Sequence, residues 1–360
     1  MNRFWEIIVT SRGRDRFYCF PFLLMLSIIT PIYQMISRIV LRRRRCHRSG
    51  GWNGAVISVG GLTVGGSGKT PIIGWLAGYF LRAGKSVTIV HSGYGRRDRT
   101  PLIIPAGQKA SVAQAGDETA MLMKLWPGAA FAVGADKKKM VARADQVLNP
   151  EIILIDDGYQ RLDIEKRIDI AVVRPELFLQ NAGVHRRLRL FPSGILREPL
   201  SALARADAVF IAVDEQTPID TIKDEIRCYS PNVPVIVWHF RLNGAVREGG
   251  LIANEELRSR RLFLFAGIGS YDRLRRMLSG VGIVPVGDYN FGDHYDYDQM
   301  DFAMLKTLSD AARAEGYLTT AKDGVRLPVG GLDKPVYCLA LEVVPESESE
   351  IERLLGGHGV

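Results

Sequence analysis

Paired cysteines, internal repeats and low-complexity tracts are missing from this sequence of 360 residues. The four cysteines (Cys19, Cys46, Cys228 and Cys338) are scattered and never form a Cys-x-x-Cys pair. This spacing argues against a cysteine metal site and is typical of a reducing compartment. The hydrophobic content of 47% suffices for buried cores, and the length favours two domains.

An excess of positive charge is also missing from most of the chain. The formal net charge is +8, but residues 1–50 alone hold ten arginines against Glu6 and Asp15. The rest of the chain holds equal numbers of basic and acidic residues, 37 of each. The high isoelectric point therefore describes one segment, and we expect no nucleic-acid partner.

Residues 17–41 form an apolar run between the arginine clusters, and several interpretations are open. A spanning helix needs about 20 apolar residues, but Pro21 and Pro31 interrupt the run and arginines flank both ends. A secretory signal would need a small-residue cleavage site, which is not evident near residues 27–30. A helix at the membrane surface, with arginines on anionic lipid, fits best. A helix in a domain core is the remaining possibility.

Residues 55–71 organise the rest of the chain. A short β-branched run predicts a buried strand, a glycine-rich loop follows, and Pro71 with apolar spacing from Ile72 predicts a helix. This is the layout of a phosphate-binding loop, in which Lys69 neutralises phosphate charge and the Thr70 hydroxyl holds Mg²⁺. The predicted nucleotide-binding residues are Thr63, Val64, Gly65, Gly66, Ser67, Gly68, Lys69 and Thr70. The usual pattern has glycine at the position of Thr63, and a glycine-rich surface turn is the alternative.

The run Ile152–Asp156 continues as Asp157-Gly158-Tyr159-Gln160 and is the second strong signal. Four apolar residues that end in aspartate predict a strand whose terminal carboxylate lies beside the phosphate loop. Asp156 and Asp157 are therefore candidate Mg²⁺ ligands together with Thr70. The alternative is a strand that runs into an ordinary Asp-Gly turn.

Three further segments carry polar residues at expected loop or helix positions. Residues 91–97 follow a predicted strand at 86–90, and loops at such positions contact ligands in α/β sheets. Gly116-Asp117-Glu118 opens a helix, where carboxylates can simply complement the helix dipole. Residues 174–199 are rich in arginine and proline, which suits an anionic ligand and a solvated linker equally well.

A second α/β series begins near residue 208. Strands are predicted at 208–213, 233–238, 262–266, 283–286, 317–319 and 336–339, with helices at 272–278 and 298–315. His294 lies in a polar loop, where a surface role is more common than a functional one. The predicted fold is α/β: a P-loop NTPase-type parallel sheet domain and a second α/β domain, after an N-terminal membrane-associated helix. The predicted divisions are 1–50, 51–200, 201–345 and a tail helix at 346–360.

Together these motifs resemble one family, the tetraacyldisaccharide 4'-kinases of Gram-negative bacteria. The matching segments follow the family's order: 59–71, Gly93-Tyr94-Gly95-Arg96, 116–118, 156–160, 192–199, Gly267-Ile268-Gly269, 293–295 and Thr319-Thr320-Ala321-Lys322-Asp323. They run through nearly the whole chain, and the loop with Thr63 is itself typical of the family. Three departures stand out, because the family usually has Ser-Arg at His91-Ser92, proline at Thr119, and Asn-Pro at Ser270-Tyr271.

The resemblance implies a membrane-associated kinase that moves the ATP γ-phosphate to the 4'-hydroxyl of a tetraacylated glucosamine disaccharide 1-phosphate. It implies Asp117, assisted by His294, as the group acting on the substrate hydroxyl, with Lys69 also catalytic and ATP and Mg²⁺ as cofactors. Implied substrate contacts are Tyr94, Arg96, Glu118, Gln160 and Arg197. The implied location is the cytoplasmic face of the inner membrane.

Two other classes of function remain to be separated. A membrane-tethered P-loop NTPase switch would act on a protein partner, but the chain has no guanine-reading Asn-Lys-x-Asp motif. A homologue that binds without catalysis would not need Lys69, Asp117 and His294 together. The sequence predicts neither the acyl-chain preference nor the oligomeric state.

Overall fold

The structure is a computed structural model that describes residues 15–64, 68–96, 98–179, 190–192, 194–214, 217–269, 271–292, 295, 297–328 and 330–360, with side chains from residue 29 onward except residue 45. The strands are β1 (Ala55–Gly61), β2 (Val87–His91), β3 (Leu102–Ile104), β4 (Ala130–Val133), β5 (Ile152–Asp156), β6 (Ile168–Val173), β7 (Ala208–Ala212), β8 (Val235–Arg247), β9 (Gly250–Ile252), β10 (Leu262–Ala266), β11 (Gly287–Asn290), β12 (Gly316–Thr320) and β13 (Val336–Pro345). The α-helices are α1 (Asp15–Cys46), α2 (Lys69–Arg82), α3 (Val112–Ala115), α4 (Asp117–Leu125), α5 (Lys137–Leu148), α6 (Ile219–Tyr229), α7 (Asn254–Arg258), α8 (Tyr271–Gly280), α9 (Gln299–Ala311), α10 (Ala321–Gly324) and α11 (Glu348–Gly357). Short 3-10 helices occupy Pro175–Leu177 and Leu200–Arg205.

These strands join into one sheet in the order β11-β10-β12-β13-β8-β7-β6-β1-β5-β2-β4-β3, with β9 paired to β8. From β7 to β4 every neighbouring pair is parallel. Strand β1 lies between β5 and β6, and Val59 pairs with Asp156. The chain leaves β1 and β5 side by side at the carboxyl edge, which is where ligands bind in such sheets.

Alternating side chains of β1 explain the layers of this half. Ile57 and Val59 face a core that helix α2 covers, whereas Val56 faces a core on the opposite side, under helix α5. Helix α2 buries Ile72, Ile73, Leu76, Ala77 and Phe80 at the spacing the sequence predicted. Each larger side chain contributes about 1.5–3 kcal/mol by leaving water. The helix is therefore held rigidly under the loop that precedes it.

The other end of the sheet has its own apolar cores. They draw their buried side chains from residues 242–339, whereas the cores around β1 use residues 56–238. The long antiparallel pairing of β8 with β13 joins the two ends. Helix α11 then returns to the first core, where Ile351, Leu354 and Leu355 are buried. The two halves are thus linked twice, by strands and by the C-terminal helix.

Helix α1 spans 32 residues and continues through Pro21 and Pro31, which the sequence suggested as interruptions. A proline in a helix removes a backbone hydrogen bond, and the bonds of the neighbouring turns carry the helix onward. Its exposed large apolar side chains are Ile29, Ile32, Tyr33, Met35, Ile36, Ile39 and Val40. Within the described part of the chain, no helix combines the length and hydropathy that crossing a membrane requires.

Most predicted elements are present, and one strand was wrong. The sequence placed a strand at 283–286, but β11 begins at Gly287. Pro285 has no N–H to donate to a neighbouring strand, and Ile283 instead packs into the core beside β10. Helix α9 also ends at Ala311, earlier than predicted, and Arg313 beyond it has a left-handed φ of 52°.

Candidate active site

The phosphate loop leads from β1 into α2, and the residues at its ends are well placed by their neighbours. Gly68 caps α2 with a φ of 85°, and a side chain there would lie 3.1 Å from the ring of Trp238. Only glycine adopts this conformation readily and leaves room for the ring. Thr63 is buried, and the Val64 amide donates to the Ile195 carbonyl at 2.9 Å. Gly65, Gly66 and Ser67 lie outside the described residues.

Three cations surround Asp157 at the mouth of this loop. Lys69 Nζ lies 3.5 Å from Asp157 Oδ1, and Arg197 Nη1 lies 2.8 Å from Oδ2. Lys137 Nζ donates to the Asp157 carbonyl at 2.7 Å. Burial would raise the pKa of Asp157, but Lys69, Arg197 and Lys137 outweigh it and hold this pKa well below its usual range. Three cations against one carboxylate leave this surface with an excess of positive charge, as phosphate groups require.

Asp157 itself has a left-handed φ of 54°. A non-glycine residue rarely adopts this conformation, which costs of order 1–3 kcal/mol and is enriched at functional sites. The conformation turns the chain directly after β5, so that Asp156 and Asp157 meet different partners. The sequence grouped both with Thr70, whereas the structure brings only Asp156 to Thr70 and brings Asp157 to the cations.

A second cluster contains mostly oxygen atoms and lies at the start of α2. Thr70 Oγ1 is 3.2 Å from both Asp156 Oδ2 and Glu118 Oε2. His91 Nε2 is 3.4 Å from the same two carboxylate oxygens. Burial would lower the pKa of His91, but hydrogen bonding and charge from Asp156 and Glu118 raise it to about 9. Burial would likewise raise the pKa of Glu118, but His91 and Lys322 lower it to about 2.

Asp117 lies next to this cluster, at the first position of α4, and contacts cations from the other end of the sheet. Arg326 forms an ion pair with Asp117, and Lys322 Nζ lies 3.9 Å from the same carboxylate oxygen. Lys322 is also 3.5 Å from Glu118 Oε1. The Arg326 guanidinium donates to the Tyr295 carbonyl at 3.4 Å. His294 lies outside the described residues, but its chain neighbour Tyr295 therefore shares Arg326 with Asp117.

The remaining predicted substrate contacts separate into two groups. Arg197 faces Asp157, as described, and the Tyr94 side chain is 69% exposed. Arg96 is buried and donates to the carbonyls of Arg99, Thr100 and Gln114. The Gln160 amide donates to Gly61 at 3.0 Å and to Glu198 at 2.9 Å. Arg96 and Gln160 thus already serve to hold loops in place.

A cavity of about 500 Å³ opens between α1 and the cationic cluster. Tyr33, Ile36 and Val40 line it on the helix side, and Lys137, Asp157 and Arg197 line it on the sheet side. Helix α1 is fastened there by Gln34, which donates to the Phe191 carbonyl at 2.8 Å, and by Tyr33, whose ring meets Phe191 edge-on. The helix wall is therefore mainly apolar, with Arg44 near its end, and the sheet wall is mainly charged.

Sequence reasoning missed four residues of this site: His91, Lys137, Lys322 and Arg326. Lys137 lies in none of the motifs singled out from the sequence, and Lys322 was quoted within a family motif without a role. His91 was placed in the expected ligand-contacting loop 91–97 and noted as a departure from the family pattern, but it was given no role of its own. The signal that could have identified His91 is that Thr119 also departs from the family pattern. The two departures are in contact, with Thr119 Oγ1 3.1 Å from His91 Nδ1. Nothing in the local sequence marks Arg326.

The known proteins that this chain resembles share one description. The sequence model of the family LpxK, described as tetraacyldisaccharide-1-P 4'-kinase, matches residues 21–358. A tetraacyldisaccharide 4'-kinase of Geobacter metallireducens is 33% identical over 81% of this chain and 84% of its own length. The enzyme of that name from Aquifex aeolicus is 32% identical over 83% of this chain and 87% of its own.

A solved structure is similar as well. It is LpxK from Aquifex aeolicus in complex with ATP, with a TM-score of 0.70 and 28% identity over 96% of this chain and 99% of that one. The similarity confirms the predicted α/β class, and it extends through both ends of the sheet. The match over nearly the whole sequence also confirms the resemblance drawn from the motifs. This chain belongs to the tetraacyldisaccharide 4'-kinase family.

Proposed function

We propose that this protein transfers the γ-phosphate of ATP to the 4'-hydroxyl of a tetraacyl glucosamine disaccharide 1-phosphate, a lipid A precursor. The observation that carries the proposal is the position of Asp117, which directly precedes Glu118 in α4 and shares Lys322 with it. Glu118 in turn lies 3.2 Å from the Thr70 hydroxyl at the phosphate loop. A group that can accept a hydroxyl proton therefore lies next to the groups that would hold a nucleotide. Phosphoryl transfer needs this positioning and charge neutralisation more than covalent chemistry.

We propose the following roles for the phosphate side of the site. The phosphate-loop amides other than that of Val64, which donates to Ile195, and the Lys69 ammonium bind the β- and γ-phosphates. Arg197 and Lys137 add positive charge from the facing wall. Lys69 Nζ lies 3.5 Å from Asp157 Oδ1 in this structure and would exchange this partner for a phosphate oxygen. A preorganised contact of this kind is worth about 10²–10³ in rate.

The donor atoms at the start of α2 fit Mg²⁺. Thr70, Asp156 and Glu118 offer three oxygens that lie close together, and hard divalent cations prefer oxygen ligands. These three residues would hold the ion. Asp157, the next residue after Asp156, contacts the neighbouring cations instead. When bound, Mg²⁺ would neutralise charge on the phosphate oxygens.

At the acceptor side, Asp117 would orient the 4'-hydroxyl and take its proton as the bond to phosphorus forms. Lys322 and Arg326 fix the Asp117 carboxylate in place. His294 would assist Asp117, which is consistent with the contact between Arg326 and the neighbouring Tyr295. Tyr94 would contact the sugar, while Arg96 and Gln160 would act on substrate through the loops they hold.

We propose that the acyl chains stay in the membrane surface while the sugar enters the cleft. Helix α1 exposes an apolar face, carries Arg42, Arg43 and Arg44 near its end, and borders the 500 Å³ cavity. Apolar burial and attraction to anionic lipid together anchor such a helix. ATP is available in the cytoplasm, so the proposed location is the cytoplasmic face of the inner membrane.

The division of the chain into domains at about residues 50, 200 and 345 remains our proposal.

The test is a transfer assay with purified protein, radiolabelled ATP, Mg²⁺ and the tetraacyldisaccharide 1-phosphate in detergent micelles. Thin-layer chromatography should show label in the glycolipid, and Lys69→Ala should remove that signal. Arg143→Ala serves as a matched control because Arg143 is an exposed residue of α5 and is not one of the site residues described above. Release of phosphate to water alone would favour a nucleotide switch and contradict the proposal.

A further inference from the structure

His91 occupies an unusual place in the site because its two ring nitrogens meet groups of opposite kind. On one side the Gly93 amide N–H donates to Nδ1 at 2.9 Å, and the Thr119 hydroxyl lies 3.1 Å from the same nitrogen. On the other side Nε2 faces Asp156 Oδ2 and Glu118 Oε2, each at 3.4 Å. The side chains of His91 and Thr119 are almost completely buried. The ring is therefore held between fixed partners.

These partners indicate which nitrogen carries a proton. A backbone N–H can donate to Nδ1 only if that nitrogen has a free lone pair, so the neutral ring carries its proton on Nε2. The charged ring, which the raised pKa of His91 favours, carries a proton on Nε2 as well. The turn that presents the Gly93 amide is closed by the Arg96 amide, which donates to the Gly93 carbonyl at 3.3 Å. Gly93 has a left-handed φ of 65°, and a side chain there would lie 2.6 Å from Val133. The Thr119 hydroxyl can rotate toward the same nitrogen and share its single lone pair with the Gly93 amide. Nε2–H then points at the two carboxylates.

We infer that His91 is a positioning residue, which donates its Nε2–H to Asp156 and Glu118 and so holds both carboxylates ready for the divalent cation. Without it, two carboxylates near Thr70 would repel each other and separate before the ion arrives. Thr119 supports the arrangement from the other side of the ring. The inference extends the proposed function, because it concerns the ion that the nucleotide requires. Residues that orient metal ligands in this way typically change metal affinity by about 10–100-fold.

Two amide substitutions separate this role from simple packing. The Gln side chain of His91→Gln can place an N–H near the position of Nε2, whereas that of His91→Asn reaches only the position of Nδ1. We expect His91→Asn to weaken divalent-cation binding about tenfold or more, and His91→Gln to restore most of it. At saturating Mg²⁺, kcat should change less than the Mg²⁺ concentration needed for half-maximal rate.

The direct measurement uses Mn²⁺ in place of Mg²⁺, with full-length protein and ATP, and counts bound Mn²⁺ by electron paramagnetic resonance. This readout needs no phosphoryl transfer, so it holds even if the glycolipid assay fails. Pulsed measurements on wild-type protein should show no ¹⁴N coupling from a directly bound imidazole. Such coupling would mean that His91 is a ligand, and it would overturn the inference.

Thr119 provides an independent test should the His91 variants fold poorly, which thermal melts of metal-free protein would show. Thr119→Val keeps the shape of the side chain but removes the hydroxyl, and should weaken Mn²⁺ binding by a smaller factor than His91→Asn. Thr119→Ser keeps the hydroxyl and is the matched control, with wild-type affinity expected. Equal Mn²⁺ affinities for His91→Asn and His91→Gln, or for Thr119→Val and Thr119→Ser, would refute the role.

Discussion

Replacing Arg326 with methionine tests the contact between the two ends of the sheet. Arg326 and Asp117 are 209 positions apart in sequence, and their side chains are only 7% and 9% exposed. Methionine fills similar space but leaves the Asp117 carboxylate without this partner. Breaking one side of a buried ion pair costs about 3–5 kcal/mol, because a charge remains in a poorly solvated place.

The charges around Asp117 and Arg326 decide where in this range the loss of unfolding free energy falls. Lys322 Nζ stays 3.9 Å from Asp117 and offsets part of the loss, whereas Asp323, fully buried and 3.5 Å from Arg326, loses a cation as well. We therefore expect Arg326→Met to lower the free energy of unfolding by about 3 kcal/mol. The matched control is Arg275→Met, since Arg275 is 60% exposed and lies 4.0 Å from Asp288. Its loss should stay below about 1 kcal/mol.

Urea unfolding followed by tryptophan fluorescence and circular dichroism measures both losses. If the two ends of the sheet unfold in separate transitions, the loss of free energy should appear in the transition in which contacts between the two ends are broken. Adding Asp117→Asn to Arg326→Met should cost less than Asp117→Asn in the wild type, because the pair is already broken. A loss no larger than that of Arg275→Met, or additive losses in the double variant, would refute the reasoning.

Four further outcomes follow from the site. Lys69→Ala should lower kcat about 10²–10³-fold with an unchanged melting temperature, and a folded variant that keeps a third of the rate would exclude the assignment. Removing residues 1–48 should shift the protein from membrane to soluble fractions while ATP binding persists; an unchanged membrane fraction would contradict the surface role of that segment. Asp117→Ala and His294→Ala should each slow turnover strongly and combine non-additively, whereas additive losses in kcat would reject an orienting pair. The pKa of Asp157 is lower in the folded than in the unfolded protein, so its ionised carboxylate stabilises the fold above about pH 3.9, and this stabilisation is lost on further acidification. In urea titrations, the difference in unfolding free energy between wild type and Asp157→Asn should therefore narrow below that pH.

Local sequence was sufficient for the nucleotide half of the protein. The β-branched run of β1, the apolar spacing of α2 and the aspartate that ends β5 each reflect a short-range rule of period or turn chemistry. Because parallel strands end at one edge, these rules also predict that Asp156 and the phosphate loop meet, and the pairing of Val59 with Asp156 agrees. The predictions for the loops around them were weaker, since a loop residue has no period to mark it.

The tertiary structure decided which charges meet. Adjacent in sequence, Asp156 and Asp157 differ in partners because the left-handed turn at Asp157 sends them in different directions. No sequence motif marked Lys137, but the packing of α5 buries it against the Asp157 carbonyl. Arg326 reaches Asp117 only because the β8–β13 pairing brings the far end of the sheet back.

The amino-acid sequence by itself determined the fold class, the phosphate loop and the family, because these depend on residue types at fixed short spacings. The sharing of one carboxylate pair by Thr70 and His91, and the support of that histidine by Thr119, were decided by tertiary structure alone. Hydrogen bonds and ion pairs between distant segments depend on distances of a few ångströms. Those distances are set only when the buried strands and helices pack against one another.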